Sequence, residues 1–343
     1  MKKRVIIAMS GGVDSATAAV MAKEAGCETV GVTLRMREPS PQETAVLDEV
    51  VSKLGIELHV LDRKREFKER VLLPAAREYA SGRTPNPCCE CNRVFKFAEL
   101  LDFASKAQAD ELWTGHYAVI DRRGEEAALL RGIDPVKDQS YFLYRLTPEM
   151  LAKIRFPLGG LTKTEVRAFA AARGFAFSGR PDSQDICFAV PGECCGETLR
   201  KAAGLPETPG RFVYGGRTVG GHTGFHRFTI GQRNGFGVAL GRPAYISKID
   251  ASSGDIELVT DREKLACSSF FLHRTNLLVP ALPREGLSIQ IRYRSRPVPC
   301  RVTAERGGIL RVETALPQYA VTPGQAGVLY LGNRVAGGGV ICL

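Results

Sequence analysis

VIIAMSGGVDSATAAVMAKEAG, residues 5–26, is the stretch that decides the fold. Val5 to Met9 is a continuous apolar run, the pattern of a strand covered on both faces. Gly11 and Gly12 then allow a turn that side chains would block, and Ala16 to Lys23 reads as an alanine-rich helix stopping near Gly26. A strand, a glycine turn and a helix in this order aim helical N–H groups into the turn, which makes a nest for phosphate oxygens. Ser10 and Ser15 add hydroxyls on either side, and Asp14 is a candidate ligand for Mg²⁺ held against phosphates. The turn carries no lysine. No G-x-x-x-x-G-K-[ST] pattern occurs in the chain, and GGLTKT at 159–164 has the wrong spacing.

The same alternation continues outward. ETVGVTL (28–34), IELHVLD (56–62) and ELWTG (111–115) read as strands, and ETAVLDEVVSKLG (43–55) as a helix. Helices follow at 66–80 and from Asn92 to Lys106, where Val94, Phe97, Ala98, Leu101 and Ala104 make one apolar stripe. SYFLYRL (140–146) reads as a strand behind a polar turn, and LTKTEVRAFAAARG (161–174) as a further helix. The class is α/β, with a Rossmann-like parallel sheet. Past residue 204 the chain turns to glycine, proline and short strands. AYISKIDASSGDIELV (244–259) is two strands around a Ser-Gly-Asp turn. In LSIQIRYRS (287–295) apolar and polar residues alternate, which predicts a strand with Arg292 on a basic face. The expected organisation is a nucleotide-binding domain over 1–203, a small β-rich domain over 204–268 and a β-barrel over 269–343.

At 343 residues two or three domains are expected. No apolar run reaches the roughly 18 residues of a membrane span. The apolar run in MKKRVIIAM is too short for a secretory signal, so a cytoplasmic protein is expected. Ten cysteines then point to metal or sulfur chemistry rather than disulfides. With 47 Lys and Arg against 37 Asp and Glu, the formal charge is +10. That fits either a solvated basic surface or a polyanionic ligand, and the arginine-rich late segments favour nucleic acid.

TPNPCCECNRVFKF (84–97) sets Cys88 and Cys91 in a C-x-x-C unit before the predicted helix. With Asn92 as N-cap, Cys91 would sit at the positive end of the helix dipole with a lowered pKa. RPDSQDICFAV (180–190) adds Cys187. Three readings stay open: sulfur chemistry between Cys91 and Cys187; an iron–sulfur site on Cys88, Cys91 and Cys187; or structural zinc with Cys194 or Cys195 as fourth ligand.

SGGVDS (10–15) resembles the PP-loop of ATP pyrophosphatases. After it, TPNPC..CNR..KF, GHYA, KDQSYFL, DSQDICF, GFHRFTIGQRNGFG and AVTPGQAGVLY follow in one order from residue 84 to 330. Together they resemble the tRNA-specific 2-thiouridylase (MnmA/TrmU) family over nearly the whole chain. The resemblance implies ATP on Ala8, Met9, Ser10, Gly11, Gly12, Val13, Asp14 and Ser15, with Leu34 and Gly115 framing the adenosine. It implies Cys187 as the persulfide carrier and Cys91 as the second catalytic cysteine, able to pair with it as a disulfide. Asn86, Pro87 and Cys88 would meet the target base. Lys137, Asp138, Gln139, His116, Arg292, Tyr293 and Gln325 would contact tRNA.

The implied reaction adenylates O2 of the wobble uridine, using ATP and Mg²⁺, and then replaces that oxygen by sulfur. Sulfur would come from a Cys187 persulfide or from a [4Fe–4S] cluster on Cys88, Cys91 and Cys187. The implied partners are tRNA and a sulfur-relay protein or cysteine desulfurase, with the chain itself a monomer. Cys88 stands where relatives carry an aspartate assigned as a base, and the segment Arg35 to Glu43 is short beside the acidic insertion of the family. A PP-loop amidating synthetase and a zinc-stapled RNA-binding protein are the alternatives, and both leave the ordered motifs unexplained.

Overall fold

Val5, Ile6 and Ile7 have no exposed surface, as the unbroken apolar run requires of a central strand. They lie in β1 (Arg4–Ala8), followed by α1 (Val13–Glu24), β2 (Glu28–Arg35), α2 (Pro41–Leu54) and β3 (Glu57–Asp62). The computed structural model describes every residue except Met1, Glu125, 180–185 and Pro191. The first four residues of the DSQDICF motif therefore lie outside the described residues. Local chemistry bounds α2: Ser40 and Glu43 form a reciprocal capping box, Pro41 opens the first turn, and Gly55 ends the helix in the left-handed region.

Residues 64–80 are helical in three pieces, α3 (Lys64–Phe67), a π turn (Lys68–Leu72) and α4 (Leu73–Ala80). The helix expected from Asn92 starts earlier. Pro87 opens α5 (Pro87–Cys91), a π turn spans Asn92–Lys96, and α6 (Phe97–Lys106) completes it. Asn92 is no N-cap. It lies inside helical backbone, and its side-chain amide donates to Phe142 O.

β4 (Glu111–Thr114) returns beside β1, and β5 (Ala118–Asp121) and β6 (Ala128–Arg131) form a hairpin. The predicted strand at 140–146 is instead α7 (Ser140–Leu143). The Asp138 carboxylate takes both the N–H and the hydroxyl of Ser140, which starts a helical turn rather than a ladder. After α8 (Pro148–Lys153), β7 (Ile154–Arg155) and α9 (Lys163–Ala171) close the α/β layer. The sheet is parallel throughout, in the order β3-β2-β1-β4-β7. Strand order reverses between β1 and β4, and such a switch opens a ligand crevice at the carboxyl ends of the strands.

The chain divides into two compact units. One comprises Met1–Phe67, Cys88–Cys187 and Asn333–Val335, and the other Lys68–Pro87, Phe188–Gly332 and Ala336–Leu343. In the second unit α10 (Cys195–Ala203) packs Leu199 on Ala76 and Tyr79 of α4. β8 (Gly210–Tyr214), β9 (Arg217–His222), β10 (Tyr245–Ile249) and β11 (Ile256–Val259) make a four-stranded sheet around Phe212, Ile246 and Leu258.

The last six strands are β12 (Ala266–Leu277), β13 (Leu287–Gln290), β14 (Val298–Ala304), β15 (Leu310–Tyr319), β16 (Ala326–Leu331) and β17 (Arg334–Cys342). Pairing of β12 with β17 closes them into an antiparallel barrel filled by Phe270, Leu272, Ile289, Val312, Leu329 and Ile341. β13 ends at Gln290, so Arg292 and Tyr293 lie in a turn and not on the predicted basic strand face. Among the described residues no helix is long and apolar enough to cross a membrane.

Candidate active site

The glycine turn lies at the carboxyl end of β1, in the switch-point crevice. Gly11 has φ +77°, and a Cβ on it would fall 2.6 Å from Glu43 O. Only glycine lets α2 approach so closely. Gly115, just past β4, is equally constrained, because a Cβ there would lie 2.6 Å from the Asp14 carbonyl carbon. Gly12 is the N-cap of α1 and brings no capping side chain, so the first-turn N–H groups have no side chain laid over them. The Ser10 and Ser15 hydroxyls sit 3.2 Å apart, and Ser15 Oγ also accepts the Ser10 N–H at 3.1 Å. Leu34, half-buried at the end of β2, pairs with Leu61 of β3.

The lysine that the turn lacks arrives from 149 residues downstream. Lys163 Nζ donates to Asp14 Oδ1 at 2.6 Å, and Tyr117 Oη donates to the same oxygen at 2.7 Å. Lys163 belongs to GGLTKT, which spacing excludes as a phosphate loop, and Tyr117 reads from sequence as core. One signal was available. A lysine directly after the N-cap of a helix faces the positive end of the dipole, an unfavourable place unless an acid compensates.

Cys91 and Cys187 both belong to the first unit. Cys91 is buried at the end of α5, and burial pushes its thiol up to about 12. The expected helix-end lowering therefore fails, because helical backbone begins four residues earlier and the positive end lies at Pro87. Cys187 is exposed, yet desolvation by surrounding chain raises its thiol too, while the charges of Lys96 and Arg37 pull it down. Lys96 acts on Cys91 as well, by its charge and by its main-chain N–H, and a Cys187 thiolate would raise Cys91 further. Lys96 ends a π turn in which Phe97 N–H bonds back to Asn92 O, one residue more than a regular helical turn. Lys96 Nζ lies 3.0 Å from His116 Nε2, and Thr114 Oγ1 lies 2.6 Å from His116 Nδ1. An ammonium can only donate, so Nε2 accepts and Nδ1 carries the proton to Thr114. Burial and Lys96 hold this imidazole neutral, well below the ordinary histidine range.

A salt bridge ties Cys187 to the glycine turn. Arg37 Nε donates to Cys187 O at 2.7 Å, and its two terminal nitrogens grip the Glu43 carboxylate at 2.9 and 2.6 Å. Glu43 is the residue packed on Gly11. The short Arg35 to Glu43 segment thus links the Cys187 main chain to the glycine turn.

Among the described residues, no three His, Cys, Asp or Glu side chains gather where a metal ion could sit. Cys88, Cys91 and Cys187, expected as a [4Fe–4S] ligand set, are not gathered into such a group in this geometry. Cys89 is buried with its thiol directed at Tyr141 O. Asp14 does fit the single-carboxylate mode of Mg²⁺ binding, since lysine and tyrosine both bond to Oδ1 and neither takes Oδ2.

The remaining candidates divide. Cys88 is half-buried in the first unit, whereas Asn86 and Pro87 fall in the second. Asp138 is buried, accepting from Gly132 N and Arg131 Nη1 besides Ser140. Gln139 exchanges bonds with the Tyr117 main chain. Lys137 is half-buried in the same loop. In the second unit, Gln325 donates to Thr84 O at 3.0 Å. Arg292 points its guanidinium inward, donating to Ala320 O, to Ile230 O and to Thr322 Oγ1, and Tyr293 lies in the same turn.

Three family models match the chain in succession: a tRNA methyl transferase HUP domain over residues 3–191, a tRNA methyl transferase PRC-barrel domain over 202–260 and an Aminomethyltransferase beta-barrel domain over 268–341. With the parallel sheet and closed barrel, they define a three-part HUP-domain protein. The tRNA-specific 2-thiouridylase MnmA of Syntrophotalea carbinolica is 41% identical, covering 99% of this chain and 98% of that one. Those of Geobacter metallireducens (40%; 99% and 97%) and Roseiflexus sp. (41%; 98% and 99%) are similar to the same extent. A 4-thiouridine synthetase–RNA complex with bound ATP aligns at 19% identity and a TM-score of 0.38, over 59% of this chain and 50% of that one. The chain belongs to the tRNA-specific 2-thiouridylase family.

Proposed function

We propose that the protein is an ATP-dependent tRNA-uridine 2-sulfurtransferase acting on the wobble uridine. Residues 1–203 would bind nucleotide and carry the chemistry, 204–268 would form a link, and 269–343 would meet tRNA. The Gly11–Ser15 amides and Lys163 would hold the β and γ phosphates, and Asp14 would hold Mg²⁺, which neutralises charge on the departing pyrophosphate. O2 of the uridine attacks the α phosphorus, pyrophosphate leaves, and C2 is activated. The terminal sulfur of a Cys187 persulfide attacks C2 and AMP leaves. The Cys91 thiolate then attacks Cys187 Sγ, forming a disulfide and releasing 2-thiouridine. An external dithiol reduces the pair. Lys96 and Arg37 would favour the anionic sulfur species, and neutral His116 would accept the Lys96 ammonium without competing for that role.

What supports this reading most is the Arg37–Glu43 link, which keeps a reactive cysteine beside the turn that would grip pyrophosphate. The substrate would be tRNA, the sulfur source a relay protein or cysteine desulfurase, the place of action the cytoplasm and the active form a monomer. Mass spectrometry of tRNA nucleosides after incubation with enzyme, ATP and a persulfide donor tests the proposal. Wild-type protein should produce 2-thiouridine, and Cys187→Ser should produce none while still binding ATP. Thiolation by the serine variant would refute the persulfide route.

A further inference from the structure

Thr84 opens the TPNPC motif, and within the second unit two stretches from far along the chain close on it. Thr84 is buried. Its N–H donates to Pro323 O at 3.0 Å, and its carbonyl accepts from Gln325 Nε2, 241 residues later, at 3.0 Å. Its hydroxyl faces that of Thr229 at 3.4 Å. Gly324, between the two barrel contacts, has φ +94°, and a Cβ there would fall 3.0 Å from the Thr84 main chain. Only glycine suits that approach.

The two closing stretches are themselves held. Gly324 N–H donates to Ile341 O at 2.9 Å and Ile341 N–H to Gln325 O at 2.8 Å, which lays the loop on β17. One guanidinium joins the stretches: Arg292 donates to Ala320 O and Thr322 Oγ1 on one side and to Ile230 O on the other. Gly231 lets them meet, since a Cβ on it would fall 2.3 Å from that of Ala320. Ala320 itself has φ +56°, a left-handed conformation that a residue with a side chain keeps only where its surroundings fix it.

We infer that this clamp positions the reacting segment: residues 320–325 and 229–230, joined by Arg292, fix Thr84 and so set where the chain enters α5. Gln325 and Arg292 are then positioning residues that act through Thr84. Beyond Thr84 the chain runs through Pro85, Asn86 and Pro87 directly into Cys88 and Cys91 of α5. Two prolines restrict φ along this short link, so it passes on a shift of its anchor. The inference rests on the proposed function, in which these residues meet the target base and resolve the persulfide. A displacement of about 1 Å at a reacting centre costs rate even when its origin is distant. The motifs GFHRFTIGQRNGFG and AVTPGQAGVLY, which lie outside the nucleotide turn and the cysteines, thereby share a task with TPNPC.

The test uses full-length protein with Gln325→Met, which keeps the side-chain length and removes the donor. With ATP, tRNA and a persulfide donor, kcat should fall about tenfold or more, for 2-thiouridine formation and for tRNA-dependent pyrophosphate release alike. The KM for tRNA and the melting temperature should stay near wild type. Gly324→Ala, which pushes on Thr84 instead, should give the same split. Hydrogen exchange followed by mass spectrometry should be faster over residues 81–91 in both variants. A raised KM for tRNA at wild-type kcat would make Gln325 a tRNA contact and overturn the clamp. Exchange over 81–91 that matches wild type would overturn it too. A wild type that makes no 2-thiouridine would remove the proposed function, and faster exchange in both variants would then still keep Thr84 clamped.

Discussion

Asp14 holds an ammonium and a phenol on one oxygen, and this decides what its neighbours do. With no nucleotide bound, Lys163 neutralises the carboxylate. In the proposed reaction Mg²⁺ would take over the carboxylate and the ammonium would turn to the phosphates. Lys163→Met should therefore lower the thiolation rate about a hundredfold or more, the scale of losing one cationic stabiliser of a leaving group. Steady-state rates against ATP concentration check this, with Lys163→Arg retaining part of the activity. His116 makes a separate prediction. Its folded pKa lies well below the ordinary value of about 6.5, so folding keeps the proton off. Its contribution to stability is complete above about pH 6.5 and is lost as pH falls toward the folded pKa, by up to about 1.4 kcal/mol per pH unit. His222 and His226 are lowered in the same sense. Thermal melts of His116→Gln between pH 7 and 5 should show a shallower acid loss than wild type, without removing it.

Among the elements, the segment from β2 into α2 has the clearest single task. Glu43 caps α2, packs on Gly11 and receives Arg37, which in turn holds the Cys187 carbonyl. The carboxylate takes the Ser40 N–H and Arg37, while the main chain of the same residue packs on Gly11, so one residue joins the cap, the turn and the Cys187 segment. Arg37→Ala should slow sulfur transfer about tenfold or more, since a misplaced reactant loses orientation, while pyrophosphate release, measured without a sulfur donor, stays near wild type. Equal loss in both steps would place Arg37 with the nucleotide grip instead. The π turn over Asn92–Lys96 is the second element with a task. A regular helix would carry Lys96 about 100° around the axis, away from His116 and the two cysteines.

For the molecule as a whole, a formal charge of +10 on 343 residues is a statement about partners. tRNA affinity should fall linearly on logarithmic axes as salt rises, with a slope counting the phosphates neutralised. ATP affinity, set by a few short contacts, should change far less over the same range. Filter binding and calorimetry at matched salt concentrations compare the two. A flat tRNA curve would mean the basic residues serve only solubility.

Local rules carried much of this protein. An unbroken apolar run makes a central strand and two glycines make a turn, both from interactions within a few residues, and the ordered motifs identify the family. They failed where a distant group outbid a near one. Asn92 bonds to Phe142 O instead of capping a helix, Asp138 turns 140–143 helical, and Arg292 spends its donors on Ala320 O, Ile230 O and Thr322 Oγ1. The cysteine expected at a helix end is buried in mid-helix, with its thiol raised rather than lowered. Lys163 could not be read at all as the missing lysine, because 149 residues separate it from Asp14 and spacing rules count along the chain, whereas charge acts through space.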